Sequence, residues 1–466
     1  MADKLTANVR RCVIGLFSCT GIFAAMQLLF SGVLVMDWPI WYQEPLELIR
    51  RYLMVPWGFA LGMLCMYERS RADAKTHARY ILLALLLLWI IVPFGVRFGF
   101  TFNNVTSWSN AFIAFMGVYV MTNWQEREKR ERSLDAANLS LLVVSMIWGG
   151  LLLFCAATAQ AIELGANGYV FGVEIRERGC LTSGMHYNNT GMLAVCLFFV
   201  NLCGMARSRM KPMKAAYGLA AVMMAVVTVL TQSRTARYSL LIASAVMAFG
   251  WLFSLLREKR MPVRCMAAAG LAACILAGGY VLADVLANAA VQTYTEQGVA
   301  ARALAEEEQS DVKAASGDEF AVRSAGDASF SGRMKIWENT LQYWKNNPKY
   351  FLIGCGVGGI SSLVVEGTIH EEQGSVMLHN TYLQITADYG LIGALLYAGF
   401  MLLMVKPVIG AVFAQKGTAG HRALAALVVA CLFTGFMESA PLAPLSAMNL
   451  MMLFALGHLS GGIDRP

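Results

Sequence analysis

The sequence predicts an all-α membrane protein that crosses the bilayer about twelve times. The chain has 466 residues, of which 57% are hydrophobic and 14% are charged, whereas a soluble domain carries roughly 25% charged residues. Apolar runs recur along the chain, and most approach the roughly 20 residues that a helix needs to cross a ~30 Å hydrocarbon core. These observations place the chain among polytopic membrane proteins.

Twelve apolar runs are predicted to span the membrane. The first is too long for a signal-peptide core and lacks a clear small-residue cleavage site, so we expect it to be retained as a span. The second and fourth are short. The predicted spans are 12–36, 52–67, 80–99, 110–124, 138–159, 188–206, 215–231, 238–256, 265–288, 380–404, 422–439 and 443–460.

Basic residues indicate the orientation of the spans. Most of the 37 Lys and Arg residues lie near the N-terminus or in the even-numbered loops, which the positive-inside rule places in the cytoplasm. Both termini are therefore expected in the cytoplasm, although Arg50 and Arg51 go against the pattern. These small clusters account for the net charge of +7, which does not indicate a nucleic-acid partner.

One long polar segment interrupts the spans. It divides the chain into residues 1–288 with nine spans, an extracytoplasmic loop domain at 289–379, and residues 380–466 with three spans. We expect this loop to cap a site. Within the loop, residues 296–325 are rich in Ala and Glu and are expected to form exposed helical structure.

A second part of the loop has helical periodicity. A helix is predicted over 332–346, with Ser331 as its N-cap. Its Trp337 and Trp344 suit either a membrane interface or packing on neighbouring elements. The glycine cluster GCGVGG at 354–359 is expected to form a turn or a close contact.

Most of the eleven cysteines lie within predicted spans. Cys180 and Cys355 fall in predicted outer segments instead. The sequence leaves open whether these two residues pair.

Arg234 and Arg237 give the sharpest local signal. They open the eighth span, where the helix dipole places about half a positive charge and free N–H groups favour phosphate. Their i, i+3 spacing puts both guanidinium groups on one face, and Arg matches phosphate geometry. Phosphate binding and snorkelling to lipid headgroups are equally supported by these two residues alone.

Three further arginines are candidates for the same anion. Arg176 and Arg178 lie in the outer loop between the fifth and sixth spans. Arg333 lies near the start of the predicted loop helix. A solvated loop is the simpler explanation for each of the first two alone.

His379 lies where the chain re-enters the membrane. Asn380, Gln384 and Asp388 follow it as a stripe, and a charge at the membrane centre costs about 2.5–3.5 kcal/mol on insertion scales, so the stripe predicts a polar cavity. An imidazole can accept a proton from a hydroxyl. Bonding to a loop carbonyl is the alternative role, and His186 is a weaker candidate base.

Several other chemistries lack their sequence signals. The chain contains no G-x-x-x-x-G-K-[ST] motif of a nucleotide-driven pump and no H-E-x-x-H motif. Its sequence shows no Cys/His cluster that indicates a metal. We therefore expect neither a metal nor another cofactor.

Four stretches resemble the O-antigen ligase and O-antigen polymerase superfamily. They are RERGCLTSGMHYNNTG, QSRTARYSLLI, SGRMKIWENTLQYWKNNP with the following GCGVGG, and HNTYLQITADYGLIG. The resemblance covers roughly 170–405. The first five spans match only in being hydrophobic, and the Ala/Glu-rich stretch departs from the usual pattern.

The resemblance implies a GT-C-like, multi-pass glycosyltransferase of the cell envelope and lipopolysaccharide pathways. Such enzymes transfer a glycan from an undecaprenyl-diphosphate carrier on the outer face of the cytoplasmic (inner) membrane, without metal. By motif, Arg234 and Arg237 would hold the diphosphate and His379 would activate the acceptor hydroxyl. Arg176 or Arg178 would match a further phosphate-binding arginine.

The expected partners are a carrier-linked glycan donor, a glycan or lipid-linked acceptor and the bilayer, with no nucleic acid. A single base with cations predicts one displacement with inversion, since retention would require a carboxylate nucleophile. The acceptor remains open among a lipid A core, a second carrier-linked repeat and a protein side chain. These correspond to a ligase, a polymerase and a protein oligosaccharyltransferase.

A transporter or glycan flippase also fits twelve spans. A major-facilitator transporter predicts two similar halves and a long central loop in the cytoplasm. In this sequence the halves differ, and the longest loop is predicted outside, after the ninth span. The enzyme is therefore the favoured class.

The side of the membrane on which the long loop lies can be measured. In a cysteine-free background, Gly317→Cys should react with an impermeant maleimide added to intact cells, because 289–379 is predicted outside. Ser208→Cys, in a predicted cytoplasmic loop, is the matched control and should react only after lysis. Labelling of Gly317→Cys only after lysis would contradict the enzyme interpretation.

Overall fold

The chain is a multi-pass, mostly helical membrane protein. Within the residues that the structure describes, six helices are long and apolar enough to cross a bilayer, and three shorter apolar helices accompany them. The computed structural model describes residues 74–97, 108, 111–124, 127–164, 169–174, 180–183, 187–308, 329–356, 378–413, 419–438 and 447–461.

Twelve α-helices are assigned within these residues, and a π-helix, Ile113–Val120, precedes α2. The α-helices are α1 (Ala74–Arg97), α2 (Met121–Trp124), α3 (Arg127–Thr158), α4 (Tyr187–Arg207), α5 (Lys211–Leu230), α6 (Arg234–Leu255), α7 (Met261–Glu308), α8 (Ser329–Asn346), α9 (Pro348–Ile353), α10 (Thr381–Phe413), α11 (Ala419–Thr434) and α12 (Ala447–Ser460).

Each predicted span from 80–99 onward overlaps helices of the described residues. The span predicted at 110–124 corresponds to the π-helix and the short α2. The first two predicted spans, 12–36 and 52–67, lie outside the described residues, so the total of twelve stays a prediction.

A small sheet corrects the expectation of an all-α protein. Strands β1 (Ala161–Leu164), β2 (Tyr169–Glu174) and β3 (Cys180–Ser183) form an antiparallel sheet in the order β1-β2-β3. It lies between α3 and α4, in the segment that was predicted as the outer loop between the fifth and sixth spans. Aromatic and β-branched residues of β2 such as Tyr169, Val170 and Phe171 favour a strand, and all four residues of β3 are buried.

Helix α4 lies at the centre of the bundle. It contacts α3, α5, α6 and α11, and most of its residues are buried. By contrast, α7 packs mainly along α6. Large apolar side chains of α7 such as Val281, Leu282 and Val285 are exposed, as expected for a helix that faces lipid.

Helix α7 crosses the predicted boundary at 288/289 without a break and continues to Glu308. The first part of the predicted loop domain therefore extends the helix of the preceding span. The remainder of the Ala/Glu-rich stretch lies outside the described residues, and the division into three parts stays a prediction.

The predicted loop helix is present as α8, with one correction. Because α8 begins at Ser329, Ser331 lies inside the helix and does not cap it. The helix ends before Pro348, as expected. Trp344 is buried in a cluster with Tyr343, Cys355 and Leu378, which supports packing on neighbouring elements over an exposed interfacial face.

The glycine cluster makes a close backbone contact with α10. Gly354 has φ of 93°, and a Cβ on it would lie 2.5 Å from the carbonyl oxygen of Asp388. Helix α10 is interrupted there at Gly390, with φ of 70°. The interruption exposes helix carbonyls, which are satisfied by Cys355 N (2.8 Å to Ala387 O), Gly356 N (2.9 Å to Asp388 O) and Trp89 Nε1 (2.7 Å to Tyr389 O).

Contacts between helix termini define two ends of the bundle: Asn188 at the start of α4 bonds Glu438 after α11, and Arg207 at the end of α4 bonds Glu131 near the start of α3. We call the end that holds the sheet, α8 and α9 the cap end; α4, α6 and α10 begin there, and α11 ends there. The other end holds the start of α3 and α11 and the finish of α4 and α12. This arrangement decides which distant residues can meet.

A glycine between α6 and α10 tests this packing. A Cβ on Gly250 would lie 2.4 Å from the backbone oxygen of Val412, so Gly250→Ala should lower the stability by roughly 1–3 kcal/mol through overpacking. A Cβ on Gly270 of α7 would have no atom of the described residues within 4 Å, and Gly270→Ala is the matched control. Thermal unfolding in detergent should show a lower Tm for Gly250→Ala only; equal Tm values would contradict the packing.

Candidate functional site

A buried carboxylate at the cap end connects three parts of the chain. Glu438 follows α11 and is 5% exposed. Its Oε1 accepts hydrogen bonds from Asn188 Nδ2 (2.8 Å) and Arg333 Nη2 (2.7 Å). Its Oε2 lies 3.0 Å from Nδ1 of His379. Such a charge is costly to bury unless it is paired and hydrogen-bonded, and these three contacts supply that compensation.

The contact with Glu438 indicates a role for each nitrogen of a neutral His379 ring. An ionised carboxylate only accepts hydrogen bonds, so Nδ1 carries the hydrogen and donates. The lone pair of the neutral ring is then on Nε2. In that tautomer, Nε2 is the ring atom that can accept a proton.

The turn that carries Glu438 is anchored to the start of α10. Four donors reach its backbone, and they come from the same segments that supply His379 and Arg333. They are Thr381 N to Gly435 O (2.8 Å), Thr381 Oγ1 to Glu438 O (2.7 Å), Asn380 Nδ2 to Phe436 O (3.0 Å) and Arg333 Nη1 to Met437 O (2.8 Å).

The backbone of His379 is strained and is held on both sides. Its φ is 47°, a conformation that is uncommon for a residue other than glycine. On one side, Trp337 Nε1 donates to Leu378 O (2.7 Å). On the other, Asn380 Oδ1 caps α10 by accepting from the amides of Tyr382 and Leu383, both at 3.0 Å. Strain of this kind concentrates at functional sites.

The predicted polar stripe is present and is hydrogen-bonded internally. Gln384 Nε2 donates to Asp388 Oδ1 (3.0 Å), and Gln384 Oε1 accepts from Leu378 N (3.2 Å). Asn380 and Asp388 are buried. The stripe therefore supports the backbone next to His379, and its expected role in lining a cavity stays a prediction.

Arg234 and Arg237 lie at the start of α6, as predicted. Ser233 is the N-cap and accepts from Ala236 N (3.2 Å). Arg237 Nη2 donates to Val229 O (3.2 Å), while its buried Nε has no hydrogen-bond partner among the described residues. Both arginines are half-buried, so their guanidinium groups are partly withdrawn from solvent.

The first turn of α4 connects the arginines with the carboxylate. A Cβ on Gly191 would lie 2.7 Å from Thr231 Oγ1 and 2.8 Å from Ala236 Cβ, so α4 packs directly against the start of α6. Asn188, one turn earlier on α4, is the residue that bonds Glu438. The arginine pair and His379 thus lie at the same end of the bundle, on either side of this turn.

Of the other predicted arginines, the structure describes Arg333 but not Arg176 or Arg178. Arg333 contacts Glu438 and Met437, which engages two of the five N–H groups of its guanidinium. Arg176 and Arg178 lie outside the described residues, in the connection between β2 and β3. Their predicted role as anion ligands is untested.

Glu438 and Asn188 were not among the predicted site residues. Glu438 ends an apolar run, and it is the one acidic residue between Asp388 and Asp464. An isolated ionisable residue at a span is a signal of function, so the sequence contained a clue to it. No such signal marks Asn188, because the sequence does not distinguish Asn188 from the adjacent Asn189.

The comparison with protein families covers the same region. Residues 219–398 match the family described as O-antigen ligase. This segment includes Arg234, Arg237, Arg333 and His379, whereas Asn188 and Glu438 lie outside it. No curated protein matches the chain significantly.

The family match confirms the predicted relationship to the O-antigen ligase and polymerase superfamily. It also supports a membrane glycosyltransferase type of activity. The match is confined to residues 219–398, so the assignment to this family rests on that segment.

Proposed function

We propose that this protein transfers a glycan from an undecaprenyl-diphosphate carrier to an acceptor hydroxyl on the outer face of the cytoplasmic membrane. The observation that carries the proposal is the His379–Glu438 contact, which prepares a base at the same end of the bundle as Arg234 and Arg237. Both termini would then be cytoplasmic, and the cap end would face outward.

The donor supplies its own leaving group in this reaction. As the bond between the sugar and the diphosphate breaks, negative charge increases on the diphosphate oxygens. Arg234 and Arg237 can stabilise that charge at the start of α6, where the helix dipole and the amide groups act in the same direction. Departure of the diphosphate requires stabilisation of this charge, which the two arginines can supply without a metal.

The acceptor hydroxyl requires a base because an alcohol is a poor nucleophile. Nε2 of His379 accepts its proton while the oxygen attacks the anomeric carbon, and Glu438 stabilises the imidazolium that forms. Attack and departure occur on opposite faces of the sugar, so one displacement inverts the configuration. Arg333 and Asn188 act as positioning residues for Glu438, and Arg333 retains N–H groups that can reach a phosphate.

The acceptor class can be determined with purified protein in liposomes. Carrier-linked repeat is supplied alone, with a lipid A core or with a peptide, and carrier release is measured. Chain growth on the repeat alone identifies a polymerase, transfer that requires the core identifies a ligase, and transfer to the peptide identifies an oligosaccharyltransferase. Absence of carrier release under all three conditions would overturn the proposal.

Substitutions of His379 and Glu438 should lower the transfer rate without loss of folding. His379→Ala should lower the transfer rate by roughly 10²–10⁴-fold, the usual contribution of a general base, while expression persists. Glu438→Gln should lower kcat more than it changes KM, because the ring loses its orienting carboxylate.

Glu338→Gln is the matched control for Glu438→Gln, since Glu338 is exposed on α8. It should retain transfer. A His379→Ala protein with unchanged carrier-dependent transfer would show that the ring is not the base, and retained lipid transport without transfer in the native chain would favour a flippase.

The arginine pair is tested by a substitution that keeps the charge. Arg234→Lys should reduce kcat/KM for the carrier-linked donor by roughly ten- to a hundredfold. An ammonium cannot reproduce a two-pronged phosphate contact, and hydrogen bonds to charged groups contribute about 1.5–3 kcal/mol. Arg209→Lys, an exposed position at the other end of the bundle, is the control. Equal kcat/KM values for both variants would exclude a diphosphate contact at Arg234.

A further inference from the structure

Three side chains of types that commonly bind metals converge at the end of the bundle opposite Glu438. Glu131 comes from the start of α3, His421 from the start of α11 and His458 from the end of α12. One ligand atom from each lies within 4.8 Å of the other two. Because the three come from widely separated stretches, no spacing in the sequence indicates the cluster.

His458 has no hydrogen bond that explains its burial. Its side chain is fully buried, and neither ring nitrogen has a hydrogen-bond partner among the described residues. Nε2 lies 3.8 Å from Glu131 Oε1, which is too long for a hydrogen bond. A buried polar group without a partner destabilises a fold, so the ring is suited to a ligand that takes its lone pair.

Glu131 is oriented by a second contact. Arg207 of α4 bonds Oε2 of Glu131 and also donates to Asp135 Oδ1 at 2.7 Å. The second oxygen, Oε1, is directed toward His458. Metal-binding carboxylates are commonly held in this way by an outer hydrogen bond that fixes the ligand oxygen, and Asp135 offsets the charge of Arg207.

We propose that Glu131, His421 and His458 bind a divalent first-row transition-metal ion, with Zn²⁺ as the best match. Two imidazoles and one carboxylate form a set that zinc uses with a fourth position open to solvent, and imidazole suits ions of this class. Ligand atoms around a tetrahedral ion lie roughly 3.4 Å apart, so rotations that bring the three atoms about 1 Å closer complete the set.

The site would join α3, α11 and α12. Glu131 is 30% exposed, which gives an ion access from solvent. The 16 residues of α11 separate this site from Glu438 by about 24 Å along the helix. The ion is therefore a structural link at the far end of the bundle and takes no part in glycan transfer.

Metal binding can be measured on the full chain in detergent, purified without a polyhistidine tag and stripped with a chelator. One equivalent of Co²⁺ should produce a saturable visible absorption band. Zn²⁺ should displace the bound Co²⁺, abolish the band and raise the Tm of the protein. His421→Gln and Glu131→Gln, at partly exposed positions, should each lose the band and the Zn²⁺-dependent Tm shift. Full burial makes misfolding a competing explanation for His458→Gln.

His379→Ala is the matched control, because it removes a histidine at the cap end and should keep one equivalent of Co²⁺. Absence of a saturable band in the native chain would overturn the proposal. Persistence of the band in both His421→Gln and Glu131→Gln would also overturn it. So would an unchanged Tm of the native chain with Zn²⁺, because Glu131 and His458 would then form an ion pair only.

Discussion

The buried charge of Glu438 is the constraint on which the cap end depends. A carboxylate with 5% exposure is tolerated only where donors surround it, and removal of one partner from such a group usually costs several kcal/mol. The three partners come from α4, from α8 and from His379, which lies two residues before α10. Satisfying one charge therefore fixes the relative positions of the central helix, the cap and the re-entry point.

The same requirement explains the backbone around His379. Its positive φ places the ring beside Glu438, and the neighbouring residues on both sides are held by hydrogen bonds from α8 and from the stripe on α10. The glycine contact at Gly354 and the interruption at Gly390 then allow the cap to approach α10 closely enough for backbone amides to bind its open carbonyls. Rigid support of this kind would preorganise His379 for the role proposed above.

Much of the architecture could be predicted because it depends on local physics. Apolar runs predicted the positions of the helices. The short turn before the eighth predicted span placed Arg234 and Arg237 at the start of α6. His379 was indicated by the polar stripe that follows it. The sheet was missed because its strands are four to six residues long and were attributed to a loop.

The centre of the site was harder to predict, for reasons of distance along the chain. Glu438 contacts residues that are 59, 105 and 250 positions away, and no local pattern encodes such pairings. Ser331 was assigned as a cap from its residue type, but helix α8 starts two residues earlier, at Ser329. The cluster of Glu131, His421 and His458 likewise depends on how three helices meet.

The sequence separation between Asn188 and Glu438 has a consequence for synthesis. A ribosome releases Asn188, Arg333 and His379 well before the carboxylate that joins them, and the family-matched segment 219–398 also emerges before Glu438. A nascent chain thus holds its cations and its imidazole without the group that orients them. The contacts of Glu438 with Asn188, Arg333 and His379 can therefore form only after the C-terminal part of the chain has been synthesised.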